Sequence, residues 1–124
     1  MQLRVDSRVE RDVGIIVATG EIDMATAGAL RQAVTDMLAG GLAHLVIDMR
    51  PVAFLDSTGL GVLVGARKKV VHIGGSLALV CDTPRLLRLF RITGIDQALP
   101  LYPTVDAALA AVPATAAPAP RPLA

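Results

Sequence analysis

The chain has 124 residues, of which 53% are apolar, and a formal net charge of +1 at pH 7. This length suits one domain with a substantial core. The near-neutral charge and the lack of tryptophan argue against nucleic-acid binding, by electrostatic attraction or by base stacking. The apolar residues fall in short segments and the N-terminus lacks a secretory signal, so we expect a cytoplasmic protein without membrane insertion.

Residues that commonly bind metal ions are scattered along the chain. His44 and His72 are isolated from each other and from any carboxylate or thiol pattern. The single cysteine, Cys81, lies in an apolar run typical of a buried strand and cannot form an internal disulfide. The sequence therefore predicts neither a metal site nor a cofactor.

The first third of the chain predicts a hairpin followed by a helix. Residues 3–9 and 13–18 have strand patterns, and the polar link 10–12 suits a tight turn. Residues 20–23 are expected to leave the sheet. A helix then runs from about residue 25 to residue 38 and is stopped by two glycines. Its inward residues are expected to be Leu30, Val34, Met37 and Leu38.

A third strand is predicted before residues 54–61, and a second helix begins within them. The strand covers residues 44–49 and ends before Pro51, since proline cannot continue a sheet ladder. The helix begins after Ser57 and closes at Gly74-Gly75. We expect its apolar stripe to comprise Leu60, Leu63, Val64 and Val71, and its outward arc to comprise Arg67, Lys68 and Lys69.

The last third predicts two more strands, each followed by a helix. Residues 76–81 form a strand, and Thr83-Pro84 is a strong start for a helix that ends at Gly94. A short strand near residues 99–102 precedes a final helix over residues 104–112. The apolar face of the first of these helices is expected to comprise Leu86, Leu89 and Phe90.

This alternation predicts an α/β fold with a small mixed, mostly parallel sheet and about four helices. The helical crossovers make the central strands parallel, and the hairpin adds an antiparallel pair at the N-terminal edge. The domain is expected to cover residues 1–112. Residues 113–124 are almost entirely alanine and proline, which predicts a disordered tail.

Ser57 stands where the third strand signal has stopped and the second helix signal begins. A serine at such a junction can cap the helix, act as a nucleophile or accept a phosphoryl group. Asp56 and Ser57 are both good capping residues, because their oxygens accept from the unpaired N–H groups of the first turn. A capping role alone accounts for most serines in such positions.

Two enzymatic interpretations are disfavoured. A hydrolase elbow needs a small residue where Leu55 stands, and neither histidine is placed to serve as the base. An aspartyl-phosphate receiver would use Asp48 as acceptor with Glu21 and Asp23 as a metal pair. However, no lysine ends a late strand to bind the phosphoryl group.

The glycines of the second helix do not form a convincing phosphate loop. Gly59, Gly61 and Gly65 are spaced one residue off the dinucleotide fingerprint, and no lysine follows in the P-loop position. We interpret them as allowing the helix to lie close to the sheet.

Two motifs together resemble the STAS family, specifically the bacterial anti-sigma factor antagonists. They are Gly20-Glu21-Ile22-Asp23 and Asp56-Ser57-Thr58-Gly59-Leu60-Gly61, and the similarity in element order covers residues 1–112. The resemblance implies the STAS fold and a regulatory chain that is not an enzyme. It also implies that Ser57 is phosphorylated by an anti-sigma factor that is itself a serine kinase. The unphosphorylated chain would capture this kinase and free a sigma factor, and a serine phosphatase would reset Ser57.

The resemblance places the partner-binding residues around Ser57, at Asp23, Asp56, Thr58 and Gly59. Asp23 ends the second strand, so in the expected sheet its loop lies beside the exit of the third strand, near Ser57. Asp23 is interpreted equally well as a contact for the kinase or the serine and as a cap for the first helix. Thr58 is a possible second phosphoacceptor, although a first-turn helix residue is the simpler interpretation.

Two further alternatives stay open. Arg85, Arg88 and Arg91 form a basic strip that could meet an acidic partner, although a solvated face is the favoured interpretation. The same fold could also serve as an accessory subunit of a transport or lipid-trafficking ATPase complex. In that role the start of the second helix would dock on the ATPase without phosphorylation.

Overall fold

The computed structural model of the chain describes residues 2–113, so residues 114–124 of the expected tail lie outside the described part. The described chain forms six strands and five helices. In order they are β1 (Leu3–Glu10), β2 (Val13–Ile22), α1 (Ala27–Ala39), β3 (His44–Asp48), β4 (Val52–Leu55), α2 (Ser57–His72), β5 (Ser76–Val80), α3 (Pro84–Thr93), α4 (Ile95–Ala98), β6 (Leu101–Tyr102) and α5 (Val105–Ala110).

The strands form one mixed sheet in the order β1-β2-β3-β5-β6, with β4 also paired to β2. β1 and β2 are antiparallel, and the other pairs are parallel. Arg11 and Asp12 join β1 to β2 with φ angles of 53° and 63°. Such angles suit a two-residue turn between twisted antiparallel strands. The predicted α/β fold with an antiparallel N-terminal edge is confirmed.

β2 is longer than the sequence predicts, since residues 20–22 stay in the sheet. Its first part pairs with β3, and after a register shift between Gly20 and Glu21 its last residues pair with β4. Gly20 has a φ of 115°, and a side chain there would collide with the carbonyl oxygen of Gln2. Glycine therefore lets β2 change partners without leaving the sheet.

The two faces of the sheet are covered unequally. α1, α2, α3 and α4 pack on one face around a large core that includes Leu30, Leu63 and Phe90. The opposite face carries a smaller core closed by Val105, Ala108 and Leu109 of α5. No helix within residues 2–113 combines the length and apolar character needed to cross a membrane.

The buried face of α2 differs from the predicted one. Val64 and Val71 are 40% and 54% exposed, so the predicted stripe is wrong in half of its members. The buried stripe is rotated around the helix from the predicted one, while the three basic residues are exposed as predicted. Its buried residues are Gly59, Val62, Leu63, Ala66 and Val70.

Candidate functional site

The parallel pairing of β2 with β4 brings the two sequence motifs together. Ile22 pairs with Leu55, so Asp23 and Asp56 follow neighbouring strand ends at one edge of the sheet. The N–H of Asp56 donates to the carbonyl oxygen of Ile22 at 3.2 Å. The loop that carries Asp23 therefore lies beside the start of α2, as the sequence predicts, although the adjoining strand is β4 rather than β3.

Asp56 caps α2. Its backbone is extended, and its Oδ1 accepts hydrogen bonds from the N–H groups of Thr58 at 2.9 Å and Gly59 at 3.1 Å. These bonds satisfy two donors that the first turn of a helix otherwise leaves unpaired. Asp56 thus takes the capping role that the sequence allowed for either residue.

Ser57 is the first residue of α2 and is exposed. No hydrogen bond found within residues 2–113 involves its hydroxyl, and the side-chain cap of α2 is supplied by Asp56. The interpretation of Ser57 itself as the cap is therefore wrong. Its hydroxyl is open to solvent at the end of a helix of 16 residues.

Asp23 organises the loop before α1. Its Oδ1 accepts from the N–H groups of Ala25 at 2.9 Å and Thr26 at 3.0 Å. The Thr26 hydroxyl lies 3.1 Å from the same oxygen and 2.7 Å from the carbonyl oxygen of Glu21. This network supports the local capping interpretation. Asp23 is half-buried, and the hydrogen bonds found for its side chain within residues 2–113 all use Oδ1.

The next two residues of α2 fix its close approach to the sheet. Thr58 is half-buried in the first turn, as expected for a helix residue. Gly59 is buried, and an added Cβ would collide with Leu55 Cδ1 and lie 2.8 Å from Ile22 Cγ2. By contrast, a Cβ at Gly61 would meet no atom within 4 Å. Of these glycines, Gly59 is therefore the one that packing requires.

The structure adds features that sequence reasoning missed. Met24, Phe54 and Ile92 are large apolar residues that are 81%, 39% and 73% exposed. Met24 follows Asp23 directly, and Phe54 lies two residues before Asp56. The exposure of Phe54 could not be read from the sequence, because β4 was not recognised as a strand.

Asp48 is held in a structural ion pair. Its side chain is 5% exposed, and Arg50 Nη2 lies 2.7 Å from Oδ2. Burial alone would raise the pKa of the Asp48 carboxyl, but hydrogen bonds from the Arg50 side chain and backbone N–H outweigh burial and lower that pKa. A carboxylate whose oxygens are already bonded to an arginine is a poor phosphoryl acceptor, which further disfavours the aspartyl-phosphate receiver interpretation.

The remaining candidate residues have structural surroundings. His44 is buried, and its Nδ1 lies 2.7 Å from Ser76 Oγ. Cys81 is also buried, and burial raises the pKa of its thiol, which disfavours the reactive thiolate. Within residues 2–113, no three histidine, cysteine, aspartate or glutamate side chains are grouped so that they could hold a metal ion.

Comparison with known proteins agrees with this architecture. The family model of the STAS domain matches residues 4–108. The chain is 43% identical over 98 residues to the anti-sigma-B factor antagonist of Bacillus subtilis, an alignment that covers 78% of this chain and 88% of that protein.

Solved structures show the same fold. The chain superposes on an anti-sigma factor antagonist from Mycobacterium paratuberculosis with a TM-score of 0.83 and 38% identity, covering 90% of this chain and 94% of that chain. The phosphorylated form of the Bacillus cell fate determinant SpoIIAA matches with a TM-score of 0.67, covering 88% of this chain and 97% of that chain. At 19% identity, this second likeness concerns the fold alone. The family match and these relatives show that the chain belongs to the STAS domain family.

Proposed function

We propose that this chain is an anti-sigma factor antagonist, a regulatory binding protein rather than an enzyme. Similar proteins from Bacillus subtilis and Mycobacterium paratuberculosis carry that description. In this proposal the unphosphorylated chain binds a cognate anti-sigma factor that is itself a serine kinase, and a sigma factor is released. Phosphorylation of Ser57 by that kinase ends the binding, and a serine phosphatase restores it.

The exposed hydroxyl of Ser57 is the observation that carries the proposal. Because Asp56 supplies the side-chain cap, phosphorylation of Ser57 would remove no hydrogen bond that holds α2 in place. A phosphate would instead add negative charge at a helix N-terminus, where the helix dipole stabilises it. The modified chain is therefore expected to stay folded.

Release of the partner follows from electrostatics. A phosphoserine adds about −1.5 to −2 charges at pH 7. That charge would arrive beside Asp23 and Asp56, at an edge that already holds two carboxylates. Like charges and lost hydration at a packed interface can cost several kcal/mol, and about 1.4 kcal/mol is tenfold in affinity. We expect phosphorylation to weaken partner binding roughly hundredfold or more.

Phosphotransfer is tested with the purified cognate kinase and ATP, followed by mass spectrometry of the modified residue. Ser57 should carry the phosphate, and Ser57→Ala should abolish the modification. Thr58→Val is the matched control and should still be phosphorylated. A Ser57→Ala protein that accepts phosphate as fully as the natural chain would remove the proposal.

Binding is tested with two variants of similar size and different charge. Ser57→Asp should weaken binding to the anti-sigma factor far more than Ser57→Asn, while neither changes the melting temperature appreciably. Equal losses for both variants would indicate a steric effect rather than a charge effect. A transport ATPase recovered as the sole partner of the unmodified chain would favour the accessory-subunit alternative.

A further inference from the structure

A groove beside the start of α2 has an apolar floor and a basic rim. It has a volume of about 320 Å3 and lies between β4 and α3. We call it the Phe54 groove, and it is lined by Phe54, Leu55, Arg85, Leu86, Arg88, Leu89 and Ile92.

The apolar part of the groove is open to solvent. Phe54 and Ile92 are 39% and 73% exposed, while Leu86 beneath them is 3% exposed. Single exposed apolar residues are common on protein surfaces, but these two share one concave site. An aromatic ring and a branched side chain around a cleft suit an inserted apolar side chain.

The basic part of the groove is free to bind carboxylates. α3 carries no acidic residue, and the ion pairs found within residues 2–113 use Arg4, Arg8 and Arg50. Arg85 and Arg88 therefore present guanidinium groups that can each form paired hydrogen bonds with a carboxylate. Their position around an apolar cleft is what the acidic-partner interpretation of this strip requires. Arg91, the third arginine, does not line the groove.

We propose that the Phe54 groove binds an acidic amphipathic segment of the anti-sigma factor, an inference that rests on the proposed function. An apolar side chain of that segment enters between Phe54 and Ile92, and flanking carboxylates pair with Arg85 and Arg88. β4 forms one wall of the groove and leads directly into Asp56 and Ser57. One partner surface can therefore cover the groove and the Ser57 hydroxyl together.

The proposal is tested by calorimetric titration of the purified anti-sigma factor into the full chain at low and physiological salt. The double variant Arg85→Glu/Arg88→Glu should bind at least about tenfold more weakly and lose most of the salt dependence. Ile92→Ser should also weaken binding about tenfold, without the change in salt dependence. Arg91→Glu is the matched control on the same helix and should change the affinity less than threefold.

The outcomes separate this inference from the proposed function. If the natural chain binds the anti-sigma factor and the groove variants bind equally well, the groove is not used and the proposed function stands. If Arg91→Glu weakens binding as much as the double variant Arg85→Glu/Arg88→Glu, general charge attraction explains the binding and the groove is not a specific site. If the natural chain has no affinity for the anti-sigma factor, both the proposed function and the groove assignment fail.

Discussion

At the residue scale, two adjacent side chains at the start of α2 differ in role: one caps the helix and the other is exposed. Asp56 holds the first turn through two backbone N–H groups, and Ser57 points into solvent without a structural bond of its own. The sequence identified both residues but could not assign the cap, because serine and aspartate are almost equally good there. The distinction depends on where the strand ends, and β4 fixes that point one residue before Asp56.

The Asp48–Arg50 pair yields a prediction about pH. Arg50→Ala removes the guanidinium from the buried Asp48 carboxylate and leaves it the backbone N–H of residue 50, which should cost about 1–3 kcal/mol of unfolding free energy at pH 7. In the natural chain the folded pKa of Asp48 is lowered below its unfolded value of about 3.9. The stability contributed by the pair is therefore present above about pH 4 and is lost as the pH falls through the lowered pKa.

The stability deficit of the variant should depend on pH. Without the Arg50 side chain, the folded pKa of Asp48 is higher than in the natural chain, because burial is opposed by fewer interactions, so the deficit shrinks as the pH falls from 7 towards 4. Urea unfolding at several pH values measures both slopes. Arg8→Ala removes a more distant positive charge and should change the unfolding free energy by less than about 0.5 kcal/mol. A deficit for Arg50→Ala that is constant with pH would contradict this account.

At the element scale, α2 contains two glycines with opposite expected responses to alanine. Gly59→Ala introduces a methyl group against Leu55 and Ile22, and overpacking of this kind costs about 1–3 kcal/mol. Gly61→Ala adds a methyl group in open space on an exposed part of the helix. It should stabilise the protein by about 0.5–1 kcal/mol, because glycine is unfavourable within helices.

Chemical unfolding of the two alanine variants measures this difference. Both substitutions gain similar helix propensity, so their difference in unfolding free energy isolates the steric contact at Gly59. Equal stabilities would mean that Leu55 and Ile22 move aside without cost. The interpretation of all three glycines as packing positions is too broad, since a methyl group at Gly61 or Gly65 would meet no atom within 4 Å.

The sequence predicts the elements that are long enough to show a complete hydrophobic period. β3 and α3 have clear patterns and clear stop signals. The strand predicted over residues 44–49 is confirmed as His44–Asp48, and the helix predicted to end at Gly94 is confirmed as Pro84–Thr93. β4 and α4 have four residues each, too few to show a period of 2 or 3.6. The predicted inward face of α2 is wrong for another reason. The spacing of Leu60, Leu63, Val64 and Val71 fits one helical stripe, but an overlapping stripe fits the helical period equally well, and that second stripe is the buried one: Gly59, Val62, Leu63, Ala66 and Val70.

At the scale of the whole molecule, the site depends on topology. β2 pairs first with β3 and then with β4, and this change of partner brings residues 23 and 56 to one edge of the sheet. The sequence predicted their approach from parallel strand order, but the register that places Ile22 opposite Leu55 comes from the irregularity at Gly20. The Phe54 groove depends on the same strand, and β4 is too short for sequence patterns to predict it.

The unequal coverage of the sheet gives a prediction about the C-terminus. α5 is the sole helix within residues 2–113 that closes the smaller core, through Val105, Ala108 and Leu109. A chain that ends after Pro103 loses the burial of one valine and one leucine, about 1.5–3 kcal/mol each. It also uncovers the strand residues beneath them. That loss is a large part of the 5–15 kcal/mol typical of a small domain, so thermal unfolding should show a strongly lowered or absent transition.

A chain that ends after Pro113 is the matched control. From composition alone we expect residues 114–124 to contribute no core, so this shorter chain should melt within a few degrees of the full chain. If both truncations melt like the full chain, α5 does not close the smaller core. If both are strongly destabilised, the domain extends past residue 113 and the boundary drawn from the sequence is wrong. We expect the first truncation to fail, because it removes side chains of α5 that cover the second face of the sheet.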